Sequence, residues 1–331
     1  MKIFFITACI IYSFSACAQD PHFSQYQASP LTLNPAMTGY FDGDFRINGN
    51  FRQQWWSVGS PYITGTISYD TKLMRAKLKN DVFGIGVLGL YDQSLNGGFK
   101  SSNISVSASY HKSLDRDNKN KVGIGFQMTY ASRAINSEHL SFASQFNGSG
   151  FNTNLPSNEN FGSLHQSYFD INAGLMYMYE DDKTQFYVGA SLYHIGTPNI
   201  SFLKTDVYPL PQRYTIHAGS KFILDDNNNE LFIGGLFMQQ ASATDKMLGA
   251  AYGFSANATT MVYAGLWYRF EDAYVPYVGL SSGNFQLGLS YDVLNSGLKS
   301  YSSKNGSFEL SLGILGSKAN NVYTNYKKGR F

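Results

Sequence analysis

The feature that most constrains the fold is a strict alternation of apolar and polar residues, repeated along most of the chain. In "KVGIGFQMTY", residues 121–130, the even-numbered positions are Val, Ile, Phe, Met and Tyr, and the odd-numbered ones are Lys, Gly, Gln and Thr. In "FRINGNFRQQW", residues 45–55, Phe, Ile and Trp fall on one face, and Arg and Asn on the other. A period of two sustained over about ten residues predicts a strand with one apolar and one polar face.

Applied to the whole sequence, this pattern predicts about 14 strands. They cover residues 45–56, 61–70, 82–91, 101–112, 121–131, 167–179, 184–194, 212–223, 230–239, 246–255, 260–270, 273–280, 284–292 and 306–315. Many are close to the ~9–11 residues of a tilted membrane-spanning strand and exceed the ~5–6 of an ordinary globular strand. Past the N-terminus, no stretch approaches the ~18 apolar residues of a transmembrane helix. In a membrane such strands must form a closed barrel, because lipid tolerates no unpaired backbone.

The connections give a second test, since a barrel with an even strand count alternates short periplasmic turns with long outer loops. The connections after predicted strands 6, 8, 10 and 12 have the short cores "EDDK", "LDDNNN", "NATT" and "SSG". The longest gaps follow strands 5, 7 and 13, at about residues 132–166, 195–211 and 293–305. Against the pattern, the gaps after strands 1 and 11 are short, and "TKLMRAKLKN" after strand 2 is long.

Aromatic residues recur near the predicted strand ends, as in the interfacial girdles of membrane barrels. They are Trp55, Trp56, Tyr91, Tyr110, Tyr130, Tyr179, Tyr193 and Phe270. We therefore predict an all-β fold: a transmembrane antiparallel β-barrel of about 14 strands with an N-terminal irregular segment. The alternative is a large soluble β-sandwich or propeller, although no repeat of 40–50 residues supports a propeller.

The N-terminus, "MKIFFITACIIYSFSACAQD", has the parts of a secretory signal. A lysine precedes a short apolar run over 3–14, and "ACA" at 16–18 fits a small-x-small cleavage site. We predict cleavage before Gln19. The alternative is a lipoprotein acylated at Cys17, for which "FSA" is a poor lipobox. Both cysteines, Cys9 and Cys17, then leave with the leader, so the mature chain has no disulfide and no thiol chemistry.

The predicted organisation is a signal peptide at 1–18 and an N-terminal segment at 19–44, in the barrel lumen or on the periplasmic rim. The barrel follows at 45–315, and a tail at 316–331. Charged residues make up 15% of the chain, against roughly 25% in an average soluble domain. The net charge is +2 and Lys and Arg form no long run, which argues against nucleic-acid binding. Location in the outer membrane, in contact with its lipid, is the expectation.

Two short motifs have better explanations than catalysis. "GIGVLG" at 84–89 matches the GxGxxG of dinucleotide sites, but that motif must turn a strand into a helix, and here it lies inside a predicted strand. "GLSSG" at 279–283 matches the GxSxG nucleophile elbow, but it lies between two alternating segments and reads as a hairpin turn around Ser281. No catalytic group of residues is present, so we predict no enzyme and no cofactor.

Metal binding has little support either. The histidines form no HxH or HxxxH pair; they are His22, His111, His139, His165, His194 and His217. His139 and His165 share the longest loop, which leaves a surface metal site open there. Acidic clusters at 42–44, 180–182 and 225–230 invite a calcium interpretation, but the spacing of an EF-hand loop is absent. Solvated turns are the simpler interpretation, and no metal site is predicted.

Arg46 and Arg52 lie on the polar face of the first predicted strand together with Gln54. In a barrel with apolar residues facing lipid, that face points into the lumen. A buried charge must be compensated, so inward arginines either pair with lumen acids or bind a segment that fills the lumen. Both alternatives stay open from the sequence.

The stretch Gln19–Asp70 resembles the start of the PorP/SprF family, outer-membrane proteins of the type IX secretion system in Bacteroidota. The matching motifs are D-P-x-F-S-Q-Y at 20–26, P-L-x-x-N-P-A-x-x-G at 30–39, D-x-R at 44–46, N-x-R-x-Q-W at 50–55 and P-Y-x-T at 61–64. The rest of the chain resembles the family only as alternating barrel strands. Residues carried over as family-motif, partner-contact or lumen-contact positions are Phe23, Gln25, Tyr26, Asn34, Pro35, Gly39, Arg46, Arg52, Gln54 and Trp55.

The resemblance implies a non-enzymatic role in secreting or displaying large surface proteins, such as gliding adhesins. The implied partners are type IX secretion components and a large secreted surface protein. The loop 144–163, "SQFNGSGFNTNLPSNENFGS", is a candidate contact. The alternatives are a porin or transport channel for small solutes, which a wide lumen with inward Arg, Asn and Gln would suit, and a soluble β-rich surface adhesin.

Overall fold

The structure, a computed structural model, describes residues 19–55, 60–78, 80–159, 164–203, 205–295 and 306–316. The predicted leader, Trp56, the last residues of the 144–163 loop and the tail beyond 316 lie outside the described residues. Among the described residues, no helix has the length and apolar content needed to cross a bilayer.

Alternating sequence segments form the strands of one antiparallel sheet. The strands are β1 (Phe45–Gln54), β2 (Tyr62–Leu73), β3 (Val82–Ser94), β4 (Phe99–Ser113), β5 (Asn120–Ile135), β6 (His165–Glu180), β7 (Thr184–Tyr193), β8 (Arg213–Ile223), β9 (Glu230–Gln240), β10 (Ala243–Asn257), β11 (Thr260–Arg269), β12 (Ala273–Ser282), β13 (Phe285–Tyr291), β14 (Val293–Leu294) and β15 (Ser307–Gly316).

The sheet closes on itself. Each strand pairs with the next along the chain from β1 to β13, β13 pairs with β15, and β15 pairs with β1 from Phe45↔Gly316 to Gln54↔Ser307. The two residues of β14 continue the line of β13 beyond Asp292 and pair with β12. Counting β13 and β14 as one, the described residues form 14 barrel strands, which confirms the predicted fold class.

The polarity of this barrel is the reverse of that of a soluble domain. On β4, Ile104 and Val106 point outward and are 66% and 60% exposed, while Ser105 and Ser107 point inward and are buried. An apolar outer surface of this kind is stable against lipid hydrocarbon, and polar inward groups need partners inside the barrel. The predicted aromatic girdle is wrong at one position, because Tyr193 belongs to the inward phase of β7 and is buried in the lumen.

The two ends of the barrel differ. One end, called here the long-loop end, carries the connections after β5 (136–164) and β7 (194–212); the other, the short-turn end, carries brief turns. In those turns, the carboxylate of Asp181 accepts backbone hydrogen bonds from Lys183 and Thr184. Asp115 and Asp225 cap their turns in the same way, accepting from the backbone N–H groups of Lys119 and Asn229. The acidic cluster at 180–182 and the one that begins at Asp225 are thus turn-forming.

Candidate functional site

The N-terminal segment runs through the barrel interior. Asp20 lies at the long-loop end beside Arg213, the first residue of β8, and Gly39 lies at the short-turn end beside Asp70 of β2. Between them the segment is buried; its least exposed apolar residues are Phe23, Tyr26, Leu31, Ala36, Met37 and Phe41. We call residues 20–41 the plug.

The stretch of the plug without a regular sequence period folds into three short helical turns: Tyr26–Ala28, Pro30–Leu33 and Pro35–Met37. Each proline stands at the start of its turn, where its missing N–H leaves no hydrogen bond unmade. Asn34 separates the last two turns in an extended conformation, and its side chain caps the third by accepting from the N–H of Ala36 at 2.8 Å. The two prolines therefore set the boundaries of the turns.

A buried charge cluster holds the plug at the long-loop end. Arg52 donates to Glu309 through Nη1 at 2.6 Å and to Asp292 through Nη2 at 2.9 Å, and all three side chains are almost fully buried. Arg52 Nη1 also donates to the carbonyl of His22 and the hydroxyl of Ser24 in the plug, at 3.2 and 3.1 Å. The sequence left two roles open for this arginine, and the structure gives it both.

Both carboxylates also bind the plug: Asp292 accepts from the hydroxyl of Ser24 at 2.7 Å, and Glu309 accepts from the plug backbone. The N–H groups of Ser24 and Gln25 donate to the two oxygens of Glu309, at 2.6 and 2.8 Å. The side-chain amide of Gln25 donates to Ser290 at 3.0 Å and accepts from Ser311 at 2.7 Å. A buried carboxylate that accepts from an arginine and two backbone N–H groups is well compensated, so Glu309 joins the barrel wall to the plug.

Asn34 is the central polar contact of the plug and is fully buried. Its Nδ2 lies 3.1 Å from the carbonyl of Leu175, 3.3 Å from that of Ala190 and 2.9 Å from His217 Nε2. The two carbonyls belong to neighbouring strands β6 and β7. Because the Asn34 amide bonds backbone carbonyls of two wall strands from inside the barrel, it fixes the position of the plug along the lumen.

Glycines on the inward faces of the strands make room for the plug. A Cβ at Gly125 would lie 2.3 Å from the backbone N of Ala36, and one at Gly174 would lie 1.9 Å from the Asn34 Oδ1. Both distances are far inside van der Waals contact, so any larger residue would displace the plug. Glycine within a strand often marks such a close approach of another backbone.

At the short-turn end, a single ion pair and close backbone packing replace the cluster. Arg46 binds Asp70 through two nitrogens, at 3.0 and 2.8 Å, and donates to the carbonyls of Met37 and Tyr40. Gly39 donates its N–H to Asp70 at 2.8 Å. Its φ of +72° suits glycine, and a Cβ there would lie 2.8 Å from the Cα of Gly84.

Asp20 forms a second polar cluster at the long-loop end. His194, which follows β7, lies within hydrogen-bond distance of a carboxylate at each ring nitrogen. Its Nε2 is 2.6 Å from Asp20, and its Nδ1 is 2.8 Å from Asp170. Burial acts to lower the pKa of His194, but the two carboxylates outweigh it and raise the pKa to about 9. Burial acts to raise the pKa of Asp20, but His194 and Arg213 hold it well below its ordinary value. At neutral pH this is an imidazolium between carboxylates.

The sequence did not indicate that three of the six histidines contact the plug and that a fourth, His22, belongs to it. His217 contacts Asn34 and His194 contacts Asp20, as described above. His111 Nε2 lies 2.7 Å from the carbonyl of Ala36, and His22 Nε2 lies 3.3 Å from Asp245. For His111, His194 and His217, the available signal was their position on the inward faces of predicted strands, since an inward histidine needs a polar partner.

Eight of the ten residues carried over from the family motifs lie in the plug or bind it: Phe23, Gln25, Tyr26, Asn34, Pro35, Gly39, Arg46 and Arg52. Gln54 and Trp55 lie at the end of β1. Trp55 has φ of 54° and packs edge-on against Tyr62, with ring centroids 5.1 Å apart. Among the described residues, no hydrogen bond, ion pair or ring contact joins these two to the plug.

The motifs set aside on sequence grounds occupy unremarkable positions. "GIGVLG" lies within β3, and "GLSSG" ends β12 and enters the turn at Gly283, where φ is +58°. His139 and His165 fall on opposite sides of the long connection, and His165 bonds Ser132. In the described ranges no group of three His, Cys, Asp or Glu residues is arranged to hold a metal ion.

Comparison with known proteins decides the family. A model described as "Type IX secretion system membrane protein PorP/SprF" matches residues 15–314. The chain belongs to the PorP/SprF family. This confirms the resemblance on which the site residues were chosen, and it confirms the non-enzymatic prediction, because PorP/SprF proteins are membrane components of a secretion system.

Solved structures show similar folds. The toluene transporter TbuX of Ralstonia pickettii aligns with a TM-score of 0.50 and 12% identity over 86% of this PorP/SprF chain and 92% of that chain. A FadL homologue of Pseudomonas aeruginosa (TM-score 0.46, 11% identity, 85% and 92% covered) and the toluene transporter TodX of P. putida (0.44, 9%, 86% and 93%) also align. At such identities the likeness concerns the fold alone. No curated protein matches the sequence.

Proposed function

We propose that this PorP/SprF protein is an outer-membrane component that binds a secretion partner or a large client surface protein at its long-loop end and supports export or display of that client. The observation that carries the proposal is the filled lumen. The family motifs at 20–26 and 30–39 lie in the plug, which is bonded to both ends of the barrel interior through Arg52 and Arg46 of the motifs on β1. A barrel whose interior is occupied by its own chain offers its loops, rather than a wide channel, for recognition.

The long-loop end carries apolar side chains beyond the strands. In the β5–β6 connection, Phe146 and Phe151 pair with ring centroids 5.3 Å apart and are 52% and 57% exposed. In the β7–β8 connection, Leu203 and Val207 are exposed as well. Aromatic side chains exposed on loops of defined conformation suit contact with another protein.

Affinity purification from native membranes, followed by mass spectrometry, tests the proposal. The wild-type protein is expected to recover a secretion component or a large surface protein, and the double variant Phe146→Ser, Phe151→Ser is expected to recover much less of it. A matched control is Asn147→Ser, which changes the same loop without removing an aromatic ring. Recovery of no such protein by the wild type would contradict the proposal.

A channel for small solutes is the second candidate, favoured by the polar inward faces of β1 and β4, where Asn48, Asn50, Ser105 and Ser107 are buried in the lumen. Conductance in planar bilayers separates the two. The full chain is expected to show no steady open current, and deletion of residues 20–40 is expected to open the pore or abolish partner binding. A steady current from the full chain would favour the channel.

A further inference from the structure

A cavity of about 110 Å³ with both apolar and charged lining lies at the long-loop end, between the plug and the inner wall formed by β3 to β8. At roughly 30 Å³ for each water in the liquid, it holds on the order of four waters. That is the space of a small amino acid rather than of a single bridging water. The wall includes hydroxyl and amide groups, such as Ser101 and Asn103, and the aromatic rings of Phe99 and Tyr168.

Arg133, near the end of β5, lines this cavity and forms no ion pair with a described carboxylate. Its buried Nε has no hydrogen-bond partner, as is also true of the Nε of Arg52 and Arg213, and its charge acts across the cavity on Asp20 and Asp92. Its guanidinium lies over the ring of Tyr168, 5.5 Å from the centroid. The other lumen arginines, Arg46, Arg52, Arg213 and Arg269, all form ion pairs.

Carboxylate oxygens without donors line the same cavity. Asp170 is 4% exposed, and its Oδ1 has no hydrogen-bond partner although Oδ2 bonds His194. Asp92 accepts from the hydroxyl of Thr64 at 2.6 Å, and among the described residues no other group donates to it. A buried carboxylate oxygen without a donor is costly, as is a guanidinium without an acceptor.

We propose that this cavity is a binding site for a small zwitterion with the chemistry of an amino acid. Its carboxylate would accept from Arg133, whose planar fork matches a carboxylate in two parallel hydrogen bonds. Its ammonium would donate to Asp92 and to Asp170 Oδ1. The three acids of the cavity, Asp20 among them, are matched by Arg133, Arg213 and the protonated His194, so a ligand without net charge fits best.

Isothermal titration of the detergent-solubilised full chain with three probes tests the site. The probes are L-serine, which carries both charges, acetate, which carries only the carboxylate, and ethanolamine, which carries only the ammonium. L-Serine is expected to bind at least about tenfold more tightly than either partial probe, since each lacks one charge-assisted contact. Equal affinity for acetate and L-serine would overturn the ammonium part of the proposal.

Two variants assign the contacts. Arg133→Gln and Asp92→Asn are each expected to weaken L-serine binding by about tenfold or more. Arg116→Gln removes an exposed arginine in the turn between β4 and β5 and is expected to leave binding unchanged. The site is overturned if the wild type binds no L-serine at 10 mM, as a cavity holding water only would do, or if Arg133→Gln binds as well as Arg116→Gln. Heat-modifiable migration on gels confirms that each variant is folded.

Discussion

The two ends of the plug are held by different chemistry. At the long-loop end, Arg52 and Arg269 share Asp292, and Glu309 binds both Arg52 and the plug backbone. At the short-turn end, one ion pair, Arg46 with Asp70, is combined with backbone packing between Gly39 and Gly84. The first end thus depends on several buried charges that compensate one another, and the second on shape.

This difference indicates where the plug can move. The plug ends at Phe41, only four residues before β1 begins at Phe45, so its short-turn end is tied to the barrel by the chain itself. The long-loop end has no such covalent tie within the described residues. A rearrangement of the plug from that end must therefore separate the charges around Arg52 and those around Asp20.

Replacing Arg52 is expected to have the largest effect. Arg52→Met leaves the buried Glu309 without its ion-pair partner and Asp292 with Arg269 alone, and removing one partner of a buried ion pair costs about 3–5 kcal/mol. Urea unfolding in detergent measures this loss. A single cysteine introduced by Ala28→Cys should also become reactive toward a membrane-impermeant maleimide. Arg116→Met is the exposed control, and a loss below about 1 kcal/mol in Arg52→Met would contradict the cluster's role.

Replacing Arg46 is expected to have a smaller effect and a different one. Arg46→Met leaves one carboxylate, Asp70, which still accepts from the N–H of Gly39, so a loss of about 3 kcal/mol is expected. Because the long-loop end is untouched, the cysteine of Ala28→Cys should stay unreactive. If Ala28→Cys reacted as fast with Arg46→Met as with Arg52→Met, the two ends would not be independent.

The strands were predictable because lipid outside and a polar plug inside give each strand a sustained period of two. The predictions fell short mainly at the long-loop end, where β5 runs to Ile135 rather than 131, β3 to Ser94 rather than 91, and β10 begins at Ala243 rather than 246. Strand residues beyond the bilayer meet water on both sides, so the alternation of polarity ends before the strand does.

The path of the plug was not predictable, because its contacts are too distant in sequence. Ser24 bonds Glu309, 285 residues away, and Asn34 contacts His217, 183 residues away. No period connects such pairs. One usable signal was present: Gly125 and Gly174 fall on the polar faces of their strands, where a glycine indicates the close approach of another backbone.

Adding a side chain at Gly125, on the inward face of β5 where the plug packs, is expected to have an intermediate effect on stability. Gly125→Ala places a methyl group 2.3 Å from the backbone of Ala36, and overpacking of this kind costs about 1–3 kcal/mol. Gly235→Ala is the matched control: it adds the same methyl group on the outward side of β9, where the nearest atoms are 3.4 Å away. Urea midpoints of the two variants measure the difference. Equal midpoints would show that the plug does not press on this wall.

Titration of the Asp20 cluster is expected to have the smallest effect. The raised pKa of His194, about 9, means that its contribution is fully present below its unfolded pKa of about 6.5 and is lost as pH rises through 9. The lowered pKa of Asp20 means that its contribution is present above about pH 4 and is lost as pH falls below that. The cluster should therefore hold the plug best between these limits, and moving from pH 7 to pH 10 should cost roughly 1–2 kcal/mol.

Other groups also titrate at high pH, so the variant His194→Gln supplies the reference. Its urea midpoint at pH 7 should be lower than that of the wild type, and its further fall between pH 7 and pH 10 should be smaller, because no imidazolium is left to lose its proton. The contacts of Arg52 do not include His194, so the cysteine of Ala28→Cys should remain protected in the wild type at pH 10. If the urea midpoint fell equally in His194→Gln and the wild type between pH 7 and pH 10, His194 would not be one of the residues that hold the plug.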